Sequence, residues 1–146
     1  MAQSVAAGAA QEAAVNTRLL AAQDATADDV VAADALIFAT PEMLASMSGM
    51  MKDFFDRCYY PVLGRIDGRA YASLICAGSD GEGAARQIAR ITAGWRLRQA
   101  APPLIIKTNA QTPQAILAPK IIDPTALTSC EALGLTLTTG LALGLF

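Results

Sequence analysis

At 146 residues, 53 % of them hydrophobic and 16 % charged, the chain is long enough to bury a core and too apolar to be disordered. Its net charge of −2 offers no basic field for nucleic acid or an anionic membrane. With no histidine, it cannot build a Ser-His-Asp or Cys-His pair or a histidine-ligated metal site.

Acid–base chemistry near neutral pH would then need a shifted carboxylate, and a bound cofactor is the simpler source. The three cysteines, Cys58, Cys76 and Cys130, form no CxxC pair. They predict buried thiols in a reduced, cytoplasmic protein.

Residues 2–14 are rich in alanine and predict a helix. They have no basic n-region, and Gln3, Gln11 and Glu12 interrupt the apolar residues, unlike a signal peptide. Val15–Leu20 reads as a strand. Thr26 followed by Asp29 predicts a capping-box start to a short helix ending near Ala33. Ala35–Ala39 is the next strand, apolar without alternation, as expected when helices cover both faces of a sheet. A long loop follows, Thr40–Ser48.

Ser48 is a natural N-cap for the next helix. Met50, Met51, Phe54, Phe55 and Cys58 recur at helical spacing and predict its buried face. Lys52 with Asp56 and Asp53 with Arg57 form i,i+4 pairs on the other. "YYPVLGRIDGR" reads as a connecting loop and "AYASLICAG" as a strand. "SDGEG" leads into a helix over 83–93, with Glu82 and Arg86 paired. "APPLIIKTN" is a strand entered through two prolines, which suits an edge or a strand start. "TPQAILAPKII" reads as irregular. Asp123 caps a last helix with Pro124 at its first position. The final "ALGLTLTTGLALGLF" falls short of the ~20 residues that cross a bilayer and predicts a buried helix, so no membrane span is expected.

Strands alternating with helices predict one α/β domain over residues 1–146, with a parallel sheet in right-handed crossovers. The chain enters on a helix with no strand before it. In open α/β sheets ligands sit outside the carboxyl ends of the strands. Two loops there are unusual. Gly78–Gly83 has glycines at 78, 81 and 83, but Asp80 and Glu82 oppose a phosphate, and no Lys-Ser/Thr pair follows. A turn that lets backbone approach a flat, weakly charged ligand fits better; a plain turn with an acidic helix start is the alternative. In Thr40–Ser48, Pro41 stiffens the chain, and Met43, Leu44 and Met47 suggest an apolar wall for a planar ligand. A long surface connection is the alternative.

"ADALIFATPEMLASMSGMMKDFFDR" with "ICAGSDGEGAARQI" resembles the flavodoxin-like flavoproteins. The likeness is to the NAD(P)H-dependent FMN reductases and the quinone reductases grouped with the tryptophan-repressor-binding proteins. Their pattern is a strand ending in Thr-Pro, a loop, then Met-x-Gly-x-x-Lys-x-Phe-x-Asp. Here these are Thr40-Pro41, Met47, Gly49, Lys52, Phe54 and Asp56. Family members often carry an aromatic residue and a glycine where Leu44 and Ala45 stand.

The resemblance implies a flavodoxin-like three-layer sandwich, strand order 2-1-3-4-5, with FMN at the switch point. It also implies that the chain is N-terminally truncated. It would start at the family's first helix, without strand 1 and the Ser/Thr-rich phosphate loop. Thr40, Pro41, Glu42, Met43, Leu44, Ala45, Ser46 and Met47 would wall the isoalloxazine. Ala77, Gly78, Ser79, Asp80 and Gly81 would line its other edge. The implied reaction is hydride transfer from NAD(P)H through FMN to a quinone or similar small acceptor, with room for a homo-oligomer. Three readings stay open: that oxidoreductase, a non-enzymatic flavodoxin-like remnant or interaction domain, and a different α/β enzyme.

Overall fold

The computed structural model describes residues 1–146. In chain order the elements are α1 (Ala2–Ala9), α2 (Ala27–Ala32), β1 (Ala35–Met43), β2 (Ser46–Met47), α3 (Gly49–Val62) and β3 (Ala70–Ala77). They continue with α4 (Glu82–Gly94), β4 (Arg98–Gln99), β5 (Leu104–Lys107), α5 (Pro113–Leu117) and α6 (Pro124–Ala142). No helix is long and apolar enough to cross a membrane.

The sheet is built on β1 and β3, which run parallel in register from Ala35 opposite Ala70 to Pro41 opposite Cys76. β4 and β5 both pair in parallel with β3, at its start and at its end. Between them stand Pro102 and Pro103, which have no N–H to give a ladder. The predicted strand at "APPLIIKTN" is thus β5, entered just after its two prolines, and β4 is a short piece ahead of them. β2 folds back antiparallel on the end of β1, with Glu42 opposite Met47 and Met43 opposite Ser46.

Local signals set the helix starts. Thr26 and Asp29 form the full capping box of α2: the Thr26 hydroxyl accepts from the Asp29 N–H, and the Asp29 carboxylate accepts from the Thr26 N–H at 2.9 Å. Ser48 caps α3 by accepting from the Met51 N–H. Asp123 caps α6 by accepting from the Thr125 N–H at 2.8 Å, with Pro124 in the first turn. At the end of α2 the Ala33 N–H donates to the Val30 carbonyl, and Arg69 adds donors from a distance to the carbonyls of Val30, Val31 and Ala33.

Several expectations are corrected. Val15–Leu20 is not a strand: it pairs with none of the sheet's strands, and a strand exists only through its ladder. Leu19 and Leu20 are exposed, and Arg18 pairs with Asp29 instead. The first helix stops at Ala9. α3 runs on through Tyr59 and Tyr60 to Val62, because Pro61 falls in its last turn, where it ends the helix without breaking it. Met50 is 58 % exposed. It lies about 100° round the helix from Met51, outside the stripe that Met51, Phe54, Phe55, Cys58 and Val62 bury. Glu82 and Arg86 form no ion pair, whereas Lys52–Asp56 and Asp53–Arg57 do, each at 2.7 Å. Residues 113–117 are a short helix capped by Thr112. Cys58 and Cys130 are buried as expected; Cys76 is only half-buried.

The sheet separates two helix layers. α3 and α4, with α2 beside α3, cover one face over a core of 17 buried residues. Phe38 on β1 packs against Phe55 at 4.9 Å between ring centres, and Phe55 meets Trp95 edge-on at 5.1 Å. α1 and α6 cover the other face, over two small clusters around Val5, Leu74 and Cys130 and around Ala70, Ala72 and Leu137. The two helices cross backbone to backbone. A Cβ at Gly8 would lie 2.0 Å from the Glu131 carbonyl oxygen, and one at Gly134 2.0 Å from that of Val5.

Candidate functional site

The long loop Thr40–Ser48 is a hairpin. β1 runs past Ala39 to Met43, the chain turns at Leu44 and Ala45, and β2 returns. Both turn residues have positive φ, 52° and 59°. Two-residue hairpins favour this conformation, yet usually with Asn-Gly or Gly; in Leu and Ala it costs roughly 1–2 kcal/mol each. Strain of this kind persists only where the surroundings over-determine it.

The surroundings are the first turns of α4. One Glu42 carboxylate oxygen accepts from the Gly81 N–H at 2.6 Å and the other from the Ala84 N–H at 3.2 Å. Gln87 holds the returning strand: its Oε1 accepts from the Met47 N–H at 2.8 Å, and its Nε2 donates to Ser46 Oγ at 3.1 Å. The Ala45 carbonyl lies against Gly83, where a Cβ would sit 2.1 Å from its oxygen. At the hairpin's base the Thr40 hydroxyl accepts from the Ser48 N–H at 3.1 Å. The two loops are thus one body, at the carboxyl ends of β1 and β3.

This changes the meaning of the glycines. Gly81 is left-handed (φ 91°), and a Cβ there would lie 2.4 Å from Ile105 Cγ2. Gly81 and Gly83 serve the protein's own close packing, not a loop held open for a ligand. Gly78 is less crowded; its nearest neighbour is the Ala110 carbonyl, from the chain after β5, 3.3 Å from a Cβ built there.

The residues singled out from the sequence divide accordingly. Thr40, Met47, Ala77 and Gly81 are buried, and Glu42 and Ser46 are half-buried and hydrogen-bonded within the protein. Pro41, Met43, Leu44, Ala45, Ser79 and Asp80 are exposed, with Gly78 partly so. Met43 is 57 % and Leu44 100 % exposed, an apolar tip beside polar backbone. Gln87 was not anticipated: its position on α4 gives no local signal, and only the fold brings it to the hairpin.

The two carboxylates with shifted acidity, Asp29 and Asp123, are held below the ordinary value, chiefly by hydrogen bonds from Thr26 and Thr125. Burial pushes the Cys58, Cys76 and Cys130 thiols up, away from the reactive thiolate. A groove of about 430 Å³ lies elsewhere, between the C-terminal turns of α3 and α4, lined by Tyr59, Leu63, Asp67, Trp95 and Arg96 among others. Its charged groups are already paired, Arg96 with Asp67 at 3.0 Å, and it is far from the carboxyl ends of the strands.

The sequence model for NADPH-dependent FMN reductase matches residues 5–104, which include both loops. The chain belongs to that family. FMN is accordingly its cofactor, and the chain is an FMN-dependent oxidoreductase.

Solved structures agree in fold. An archaeal flavodoxin superposes with a TM-score of 0.75 at 18 % identity, over 96 % of this chain and 87 % of its own. The WrbA-like flavodoxin of Agrobacterium tumefaciens gives 0.70 at 15 %, over 97 % and 90 %. Rubredoxin oxygen:oxidoreductase from Desulfovibrio gigas gives 0.77 at 13 %, over 99 % of this chain but 33 % of its own, so the present chain spans about a third of that protein. The fold is flavodoxin-like. No curated protein matches the sequence.

Proposed function

We propose that this member of the family oxidises NAD(P)H and reduces a quinone or similar small acceptor, with the flavin ring held against the hairpin and the loop after β3. One observation carries the reading: the hairpin tip, exposed at Met43 and Leu44, is kept in a strained turn by Glu42, Gln87 and Gly83. A strained, fully exposed apolar tip costs stability and does nothing for the core.

The residues present suit the ring. Met43 and Leu44 would face its apolar surface and exclude water. Backbone groups of Pro41, Glu42, Ala45, Ser46 and of Gly78, Ser79 and Asp80 would meet its polar edge, while Ala77 and Gly81 are buried, the Ala77 carbonyl accepting from Thr108 and the Gly81 N–H donating to Glu42, and would support the loop. Thr40 and Met47 would act from beneath by fixing the hairpin. When bound, FMN supplies the hydride and electron chemistry that this chain, without histidine, does not.

The test is an FMN titration followed by turnover of NADH and NADPH with a benzoquinone acceptor. Quenched flavin fluorescence and protein-dependent turnover above that of free FMN are expected. Turnover no faster than free FMN would sink the proposal. Ala45→Trp locates the ring: it should abolish flavin binding, and an unchanged yellow protein would put the ring elsewhere.

A further inference from the structure

We infer that Glu42 is a positioning residue: an internal anion that occupies the first turn of α4 and locks the two walls of the flavin site into one piece. The inference rests on the site proposed above. α4 lacks any local cap, because its N-cap is Gly81, which has no side chain. The first-turn N–H groups of a helix need an acceptor and carry partial positive charge. Glu42 meets both needs from 39 residues away, and its 2.6 Å contact with the Gly81 N–H has the length of a charge-assisted bond. Its second oxygen takes the Ala84 N–H.

Two consequences follow for function. The Gly81 and Ala84 N–H groups are taken and a carboxylate already stands at the start of α4, which disfavours an outside phosphate there and leaves the Gly78–Gly83 loop to the uncharged part of a ligand. The hairpin, strained at Leu44 and Ala45, depends on one ionised carboxylate to hold it beside the loop after β3. Gln87 braces the returning strand but carries no charge.

The experiment compares wild type with Glu42→Ala and Glu42→Gln in two readouts: FMN affinity by fluorescence, and hydrogen exchange at the Gly81 and Ala84 amides. Glu42→Ala should weaken FMN roughly tenfold or more and speed exchange at both amides by a similar factor. Millimolar formate, small enough to enter the vacated place, should restore both; chloride at equal ionic strength should not. Glu42→Gln, which keeps one acceptor and loses the charge, should fall between. Unchanged FMN affinity and exchange in Glu42→Ala, or losses that formate does not repair, would overturn the inference. If Glu42→Ala fails to fold, Glu42→Gln decides: wild-type affinity and protection in it refute the role of the charge. If wild type binds no FMN yet the amides respond to formate as described, the flavin-site reading fails and the role of Glu42 stands.

Discussion

The two faces of the sheet are closed by opposite means. On the α3/α4 face the filling is large and aromatic: Phe38, Phe54, Phe55, Tyr71 and Trp95 touch one another across the layer. On the α1/α6 face the filling is small, and glycines at 8 and 134 let two helices meet backbone to backbone. Side-chain burial stabilises the first, and fit of main chain to main chain the second. The candidate site hangs from the first face. Met47, Ala77, Ala84 and Ala85 belong to its core, so the hairpin and the α4 start inherit its rigidity. The uncapped end of α1 hangs from the second, through Val5 and Cys130.

The contrast breaks most sharply at Phe55, which is fully buried and in contact with Phe38, Phe54 and Trp95. Phe55→Ala should cost about 3–5 kcal/mol in urea unfolding. A loss under about 1 kcal/mol would mean that the aromatic face is not the main support. Gly134→Val tests the other face. Its added carbons meet the Val5 carbonyl, which is backbone and cannot rotate away, so α1 must move; the expected cost is about 1–3 kcal/mol. The near-ultraviolet signal of Trp95, on the opposite face, should stay native. The double variant sharpens the comparison: independent faces give additivity within about 0.5 kcal/mol, and a larger coupling would mean one continuous core. Smaller again is Ser48→Ala, which removes the α3 cap at a cost of about 1 kcal/mol by thermal or urea melts.

Legibility in the sequence followed the range of the interaction. The α2, α3 and α6 starts were plain because Thr26–Asp29, Ser48 and Asp123–Pro124 carry the cap within four residues. The Phe54–Phe55 stripe was plain because helical period is local. Val15–Leu20 misled because strand propensity is no partner. The hairpin was hidden because its turn is Leu-Ala, not Asn-Gly, and its braces, Glu42 to α4 and Gln87 to β2, act across about 40 positions. Strand–loop–helix order points to the carboxyl ends of β1 and β3, and the Thr-Pro to Asp resemblance names the candidate residues there. Their support was not legible, since Gly83 means close approach only once Ala45 is known to lie against it.

The smallest effect compares the faces through acid. Each has one helix capped by an aspartate held below its ordinary value: Asp29 at α2 on the aromatic face, and Asp123 at α6 on the other. Asp29 is lowered first by the Thr26 side chain, then by the Thr26 N–H, with Arg18 contributing less. Asp123 is lowered first by the Thr125 side chain, then by its N–H. Because each is depressed in the folded protein, its contribution is present above the unfolded value of 3.8 and lost as pH falls through the lower folded value. Stability should therefore decline below about pH 4 through both caps. Asp29→Asn and Asp123→Asn should each flatten that decline while lowering stability at neutral pH. Urea midpoints against pH for the three proteins provide the check. Hydrogen exchange then assigns the loss, with α2 amides opening in acid in the wild type and already open in Asp29→Asn, and likewise α6 for Asp123→Asn. Parallel pH curves for all three would show that neither cap titrates with folding, and that the acid response comes from elsewhere on the two faces.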